Sequence, residues 1–586
     1  MYFLELAETF EKMEKTTSRL ELTDYLVHLL KRTPIEIIDK IIYLIQGKLG
    51  PDYLSKELGV AEKIVIKSLS LASGHSIKEI QTKYNTIGDI GDVAYEVLKN
   101  KFQTSLYYEN LTIDRLYKTL IKISKVTGSG SIDIKLKYIN SLLNNSSNLE
   151  CKFILKLILG NLRLGIADFT ILDAIALSFT GDKRNRKILE RAYNVSSDLG
   201  KIAKLLYNGS LEEVESIPIS LFIPIRPMLA ERASNAEEAL KKMDGKICFA
   251  EYKIDGERIQ IHKKGEKIEL FTRSLENVTD NFSDIAKEIE KINTKDLIAE
   301  GEIVPIDLQT GKFLPFQTLM HRKRKYKIDD AIKDYPVILN LFDILFYDNK
   351  DKTILPLFQR REILEKIIQT QSQNKKIRLI KQKKITDIVE INKFMSEAIE
   401  NGCEGLMIKK PQSQYRAGAR EWAWIKLKKE YSNEFLDTVD LVIVGADYGK
   451  GRRVGNYGTF LLATYDPNED IFFTICKVGT GFTDESLEEI SESLKHHTIK
   501  DKHPRVNLGE IKMDIWFEPK IVVEIFSPEI TLSPMYTTYI NKVKKGYGLA
   551  LRFPKFTGKI REDKNAEDST TISEIESIYK KQLKSI

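Results

Sequence analysis

Cysteine is scarce in this chain: four residues in 586, at Cys151, Cys248, Cys403 and Cys476, with no C-x-x-C pair. That excludes a disulfide framework and a cysteine-ligated zinc module, and reduced thiols in a cytoplasmic protein are expected. No apolar run reaches the roughly 18 residues that would suggest a membrane span. The start, Met1-Tyr2-Phe3-Leu4-Glu5, lacks the basic stretch and apolar core of a secretion signal. Charge of neither sign dominates, since 91 basic side chains against 84 acidic leave a net +7. Such an excess is compatible with a phosphate-bearing partner without demonstrating one. There is no internal repeat and no long low-complexity tract, and the length excludes a single hydrophobic core.

What is present falls into three stretches. Up to about residue 215 the chain reads as helices. Thr33-Pro34 is placed to open one whose apolar residues Ile37, Ile38, Ile41, Ile42, Leu44 and Ile45 recur at helical spacing before Gly47. Lys152 to Gly160 and Ile171 to Phe179 repeat that pattern, with the glycine-bounded segment Gly160-Asn161-Leu162-Arg163-Leu164-Gly165 between them. After Ile217-Pro218, the segment from Pro224 to Ala230 reads as an extended linker into a region of strands. There Ile259 and Ile261 alternate with Arg258, Gln260 and His262, and Lys264-Gly265 turns the chain back into Ile268 to Phe271. Val337 to Phe346 is almost continuously apolar, as a strand buried on both faces requires. Asn392 to Ile399 sets Phe394, Met395, Ala398 and Ile399 on one helical face. From about Asp437, short strands at Leu441 to Val444, Phe460 to Thr464, Phe472 to Val478 and Ile521 to Ile525 suggest a small barrel. A basic amphipathic helix closes the chain, with a capping box expected between Ser573 and Glu576.

Within this frame one segment stands out: Ala250-Glu251-Tyr252-Lys253-Ile254-Asp255-Gly256-Glu257-Arg258 holds a lysine between two carboxylates, just before a glycine and an arginine. Alone, K-x-D-G also describes a surface lysine beside a β-turn. It is followed in order by Phe271-Thr272-Arg273, Glu300-Gly301-Glu302-Ile303, Phe342-Asp343-Ile344-Leu345, Glu404-Gly405-Leu406-Met407-Ile408-Lys409, Trp424-Ile425-Lys426-Leu427-Lys428 and Arg561-Glu562-Asp563-Lys564. Together these resemble the motif set of the covalent nucleotidyltransferases, specifically the ATP-dependent DNA ligases of archaeal and eukaryotic replicative type, over essentially the whole chain. The resemblance implies a multidomain α+β protein. Its parts are an all-helical DNA-binding domain at 1–215, an adenylation (nucleotidyltransferase) domain of antiparallel sheets with helices at 216–432, and an OB-fold β-barrel with a C-terminal helix at 433–586. The implied activity is the sealing of nicks in double-stranded DNA by a monomer, using ATP with Mg²⁺ or Mn²⁺, in replication, repair and recombination.

Roles for individual residues follow from chemistry and from the resemblance together. A lysine attacks phosphorus only as the neutral amine, so the site of Lys253 must favour that form by burial or by neighbouring positive charge. Arg258, Arg273, Lys426, Lys428 and a bound metal are the expected sources. Glu251, two residues before Lys253, points to the same side in an extended segment and could accept the adenine amino group. The resemblance places Phe342 against the base, although an aromatic in an apolar strand is also ordinary core. Glu302 and Glu404 are the metal candidates, because Mg²⁺ takes carboxylate and phosphate oxygens. Arg420, Lys426 and Lys428 match positions that hold nucleotide phosphate. Arg561 and Lys564 match the motif that orients the pyrophosphate leaving group, which requires domain closure. The glycine-bounded segment around Arg163 resembles the DNA-binding domain of the same family, while its spacing alone reads as a plain inter-helix turn.

A partner is also implied. Gln103-Thr104-Ser105-Leu106-Tyr107-Tyr108 resembles a sliding-clamp box shortened by two residues, with Gln103, Leu106, Tyr107 and Tyr108 as contacts. The same residues also fit packing within the helical domain. RNA ligases and capping enzymes share the lysyl-nucleotide chemistry but are not expected to carry the helical region, and an NAD-dependent ligase would bring a cysteine-rich zinc module. A non-catalytic DNA-binding scaffold would have no need of Lys253, Glu302, Glu404 and Lys426 together.

Overall fold

The computed structural model describes residues 1–54, 57–99, 110–244, 247–309, 311–314, 316–322, 328–369, 376–428 and 438–584. The clamp-like segment 103–108 lies outside the described residues. No helix among those described is long and apolar enough to cross a membrane. The chain divides into two compact units, Met1–His75 with Ala94–Ser432, and Ser76–Val93 with Asn433–Ile586.

The helical region begins with Phe3–Glu14 and Arg19–Arg32 and ends with Leu211–Glu215. Its helices form where apolar residues recur on one face and a side chain closes the free N–H groups. Ser147, for example, opens Asn148–Ile158 in a reciprocal capping box with Glu150. Thr33 acts differently from the expectation: its hydroxyl donates to Leu29 O at 2.8 Å, so it ends the preceding helix. Pro34 then leads into a 3₁₀ turn, Ile35–Ile37, before the helix Ile38–Ile45 begins. The two later periodic stretches form helices Asn148–Ile158 and Asp168–Thr180.

The strands that follow are β1 (Leu229–Ala233), β2 (Cys248–Lys253), β3 (Glu257–Lys264), β4 (Lys267–Thr272), β5 (Asp296–Pro305), β6 (Val337–Tyr347), β7 (Lys350–Asp351), β8 (Ile377–Leu379), β9 (Gln382–Ile385), β10 (Gly405–Lys409) and β11 (Arg420–Lys428). One sheet has the order β1-β11-β10-β2-β9; the other runs β4-β3-β5-β6-β7, with β8 against β6. Ile391, Phe394 and Ala398 of helix Ile388–Glu400 pack on the first sheet. Phe282, Ile285 and Leu364 pack on the second. The polar face of β3 is buried as well, because the linker lies over it. His262 Nδ1 accepts from Phe222 N at 2.9 Å, and Gln260 Oε1 accepts from Ile225 N at 2.7 Å. Burial pushes the His262 imidazole down to about 3, so it stays neutral there.

In the other unit, β12 (Thr438–Tyr448), β13 (Tyr457–Asp466) and β14 (Ile471–Val478) form the centre of an eight-stranded sheet. Its remaining strands are β15 (Thr498–Ile499), β16 (Val506–Asn507), β17 (Ile515–Phe517), β18 (Val522–Phe526) and β21 (Lys555–Ile560), while β19 (Glu529–Ser533) and β20 (Gly548–Arg552) pair with each other. The long β12 pairs β13 along one edge and divides the other between β17 and β18, wrapping the sheet around a core that includes Phe460, Phe517 and Phe556. Helix Ile572–Lys584 adds Ile575 and Tyr579 to that core. Its capping box lies two residues earlier than expected: Thr571 N donates to Glu574 at 2.7 Å and Glu574 N to Thr571 Oγ1 at 3.3 Å. Glu576 is engaged elsewhere, with Tyr539 and Lys580.

Candidate active site

Register brings distant residues together. Across β2, β10 and β11, Lys253 stands opposite Gly405 and Gly405 opposite Lys428; Glu251 opposite Met407 and Met407 opposite Lys426; Phe249 opposite Lys409 and Lys409 opposite Trp424. Alternate residues share a face, so this grid points Glu251, Lys253, Lys409, Trp424, Lys426 and Lys428 into one cavity of about 430 Å³. Lys253 is the last residue of β2, and Ile254-Asp255-Gly256 carries the chain from the first sheet to the second. Gly256 is required at that crossing: a Cβ there would sit 2.3 Å from Ile303 O. A Cβ on Gly405 would sit 2.2 Å from Leu427 O, so β10 can lie this close to β11 only with glycine at this position.

The second sheet supplies the opposite wall. Arg258 on β3 stands opposite Glu302 on β5, which stands opposite Asn340 on β6. The Arg258 guanidinium reaches Glu300 at 2.8 Å and Met228 O at 2.8 Å, and lies 5.4 Å from the Phe342 ring. Phe342 meets Trp424 edge to face, with centroids 6.2 Å apart. Its neighbour Asp343 forms a fully buried bidentate pair with Arg360, at 2.7 and 2.9 Å, which anchors β6 behind the cavity.

Electrostatics divide the two carboxylates. Glu404 contacts Lys253 Nζ directly and lies 3.2 Å from Lys428 Nζ. Burial pushes its carboxyl up, but Lys253 and Lys428 outweigh this and hold it below its ordinary value. Among the described residues Glu302 makes no such contact; burial pushes it up to about 8, with Glu404 and Glu257 adding to the rise against the pull of Lys253 and Arg258. Lys426 is shifted down by burial and by the neighbouring charges of Lys253, Arg420, Lys428 and Arg273. Glu302 and Glu404 are hard oxygen donors, and a divalent cation would relieve the repulsion that helps keep Glu302 protonated, so the pair fits such an ion.

Of the expected residues, Glu251, Lys253, Arg258, Arg273, Glu302, Phe342, Glu404, Arg420, Lys426 and Lys428 all line this cavity. Arg561 and Lys564 belong to the other unit. There Arg561 donates to Asp440 at 2.5 Å and to Asp563 at 2.8 and 2.9 Å, while Lys564 reaches the same Asp440 oxygen at 2.8 Å. Three residues carried no role in the sequence: Asp440, and Lys409 and Gln382, which both contact Glu251. Lys409 was visible as the end of the Glu404 motif, but its partner depends on strand order. Arg163 has φ +48 and is exposed between buried Leu162 and Leu164, flanked by Gly160 and Gly165 at φ +67 and +69. A left-handed arginine so placed is presented outward by the backbone itself.

Comparisons with known proteins cover the chain from end to end. The families described as DNA ligase N terminus, ATP dependent DNA ligase domain and ATP dependent DNA ligase C terminal region match residues 2–176, 227–428 and 453–564. The DNA ligase of Nitrosopumilus maritimus is 51% identical over 585 residues, covering 100% of this chain and 99% of the relative. DNA ligase 2 of Thermofilum pendens is 47% identical, with 99% and 97% covered. A solved structure, Pmar-Lig_Pre., superposes with a TM-score of 0.57 at 20% identity, over 95% of this chain and 99% of that one. That likeness extends the shared fold to the helical N-terminal region, the two-sheet nucleotidyltransferase region and the sheet-rich C-terminal region.

Proposed function

The chain belongs to the ATP-dependent DNA ligases, and from that premise we propose that it seals single-strand nicks in duplex DNA with Lys253 as nucleophile. The carrying observation is the position of Lys253: it ends β2 in contact with Glu404, in a cavity lined by Arg258, Arg273, Lys426 and Lys428. The Lys253 amine attacks the α-phosphorus of ATP, an N–P bond forms as the bond to the β-phosphate oxygen breaks, and pyrophosphate leaves. An oxygen of the nick's 5′-phosphate then attacks the phosphorus of that AMP, forming a P–O–P bond as the N–P bond breaks and Lys253 leaves as the amine. The 3′-hydroxyl finally attacks that phosphate, releasing AMP and regenerating a phosphodiester bond.

Each residue has a part that its position supports. Glu251 receives the adenine amino group, and Phe342 offers the base an aromatic face. Arg420, Lys426 and Lys428 hold phosphate oxygens and stabilise the charge that gathers on phosphorus. Glu302 and Glu404 would hold Mg²⁺, which supplies charge neutralisation on the phosphate oxygens when bound. Arg561 and Lys564 act on the pyrophosphate leaving group. Regions 1–215, 216–432 and 433–586 serve DNA binding, adenylation and a mobile OB-fold role respectively, with Arg163 presented to a DNA phosphate. A sliding clamp engages 103–108, and the protein works as a monomer. The reading is tested by sealing a 5′-phosphorylated nick in a DNA duplex with ATP, beside NAD⁺ and a nicked RNA duplex as controls. Sealing of the DNA with ATP alone is expected; sealing driven by NAD⁺, or only of RNA, would overturn it.

A further inference from the structure

The carboxylate of Glu251 has two partners of its own. Its Oε2 lies 2.5 Å from Lys409 Nζ, with both side chains only 2% exposed. Its Oε1 accepts from Gln382 Nε2 at 2.8 Å. Gln382 stands directly opposite Glu251 on the edge strand β9, and Lys409 lies two residues beyond Met407, the partner of Glu251 on β10. The same ammonium is 4.2 Å from the Trp424 ring centroid and 4.7 Å from that of Phe342. A buried ion pair is held when its geometry is good and its remaining hydrogen-bond capacity is used, and the two rings and the amide do that here. None of the steps assigned above employs Lys409 or Gln382.

Resting on the reading of this cavity as an ATP site, we propose that Lys409 and Gln382 are positioning residues that set base specificity, holding Glu251 as an acceptor-only carboxylate that takes a 6-amino purine and rejects a 6-oxo one. A carboxylate has no proton to donate. The exocyclic amine of adenine supplies a donor to it, whereas hypoxanthine or guanine sets a carbonyl oxygen in the same place, lone pair against lone pair. Lys409 holds one carboxylate oxygen and Gln382 the other, so together they fix the rotation of the carboxylate plane. Without Lys409 the carboxylate loses one of the two contacts that aim it, and its oxygens no longer stand where they accept from a 6-amino group and meet a 6-oxo oxygen lone pair against lone pair. Discrimination would then fall even though Glu251 is still present.

The test is self-adenylylation kinetics of the full chain with ATP and with inosine triphosphate, whose base carries a 6-oxo group. Wild type, Lys409→Met, Gln382→Leu, Glu251→Gln and the Glu251→Gln/Lys409→Met double variant are compared, with thermal melts to establish folding. In Lys409→Met the ratio of kcat/KM for the two triphosphates should fall about tenfold or more, chiefly through a higher KM for ATP. Gln382→Leu, at the sheet edge, should shift it in the same direction. In the Glu251→Gln background Lys409→Met should change the ratio no further, because it acts through that carboxylate. An unchanged ratio in both folded single variants, with ATP and inosine triphosphate losing equally, would overturn the proposal; should Lys409→Met fail to fold, an unchanged ratio in Gln382→Leu does so. Wild type that forms no adduct with either triphosphate would overturn the ATP reading itself, and this proposal with it.

Discussion

Gly256→Ala is the change that bears most directly on how the fold holds Lys253. The added methyl carbon would sit 2.3 Å from Ile303 O and 2.9 Å from Glu302 Cγ. That is about 1 Å inside an ordinary carbon–oxygen contact of roughly 3.3 Å. The nearest atom is backbone of the central strand β5, which pairs with β3 and β6 on either side and cannot retreat alone. The crossing segment must therefore move instead, and Lys253, three residues before it, moves with it. Overpacking of this kind costs about 1–3 kcal/mol of stability. A displacement near 1 Å at the nucleophile reduces the rate on the order of a hundredfold. Labelling with radioactive ATP, measured as an initial rate beside a thermal melt, should show adenylylation falling far more than stability accounts for. Wild-type adenylylation in a folded Gly256→Ala protein would refute the idea that this crossing fixes the nucleophile.

Three further outcomes are expected. Because burial raises Glu302 to about 8 from an ordinary 4.5, the folded chain keeps a proton there that the unfolded chain gives up; its contribution to stability is whole below 4.5 and is lost as pH rises through 8, by at most about 1.4 kcal/mol per unit. Urea unfolding without nucleotide or divalent cation should therefore show Glu302→Gln gaining on wild type between pH 5 and 8.5, and parallel curves would refute that environment. Replacing Arg561 and Lys564 together by alanine should slow self-adenylylation on the order of a hundredfold while sealing of pre-adenylylated DNA suffers less; equal losses in both steps would remove their pyrophosphate role. Replacing Leu106, Tyr107 and Tyr108 by alanine should abolish clamp stimulation of sealing and spare self-adenylylation, and undiminished clamp binding by the folded variant would sink that assignment.

Much of this was legible in the residues, for physical reasons that also mark where legibility stopped. The helix Asp168–Thr180 and the strand Val337–Tyr347 declare themselves through local spacing of apolar side chains. Caps were harder, because Thr33 and Thr571 are decided by which neighbouring backbone group is free, and each displaced an expected boundary by a turn or less. The cavity lining was readable because its residues sit in ordered motifs. The bracing of Glu251 was not, since β9 reaches β2 only after more than a hundred residues of intervening chain and Lys409 meets Glu251 on a diagonal between strands. Asp440 likewise gains its meaning only when Arg561 and Lys564 are brought to it from 121 and 124 residues away.

The central claim is that Lys253 carries AMP. Incubation of the purified chain with ATP and Mg²⁺, digestion, and mass spectrometry under conditions that preserve the acid-labile phosphoramidate would locate the adduct. AMP is expected on Lys253, none on the Lys253→Ala variant, and residual sealing of pre-adenylylated nicks by that variant. AMP on another residue, or an undiminished adduct in Lys253→Ala, would contradict it.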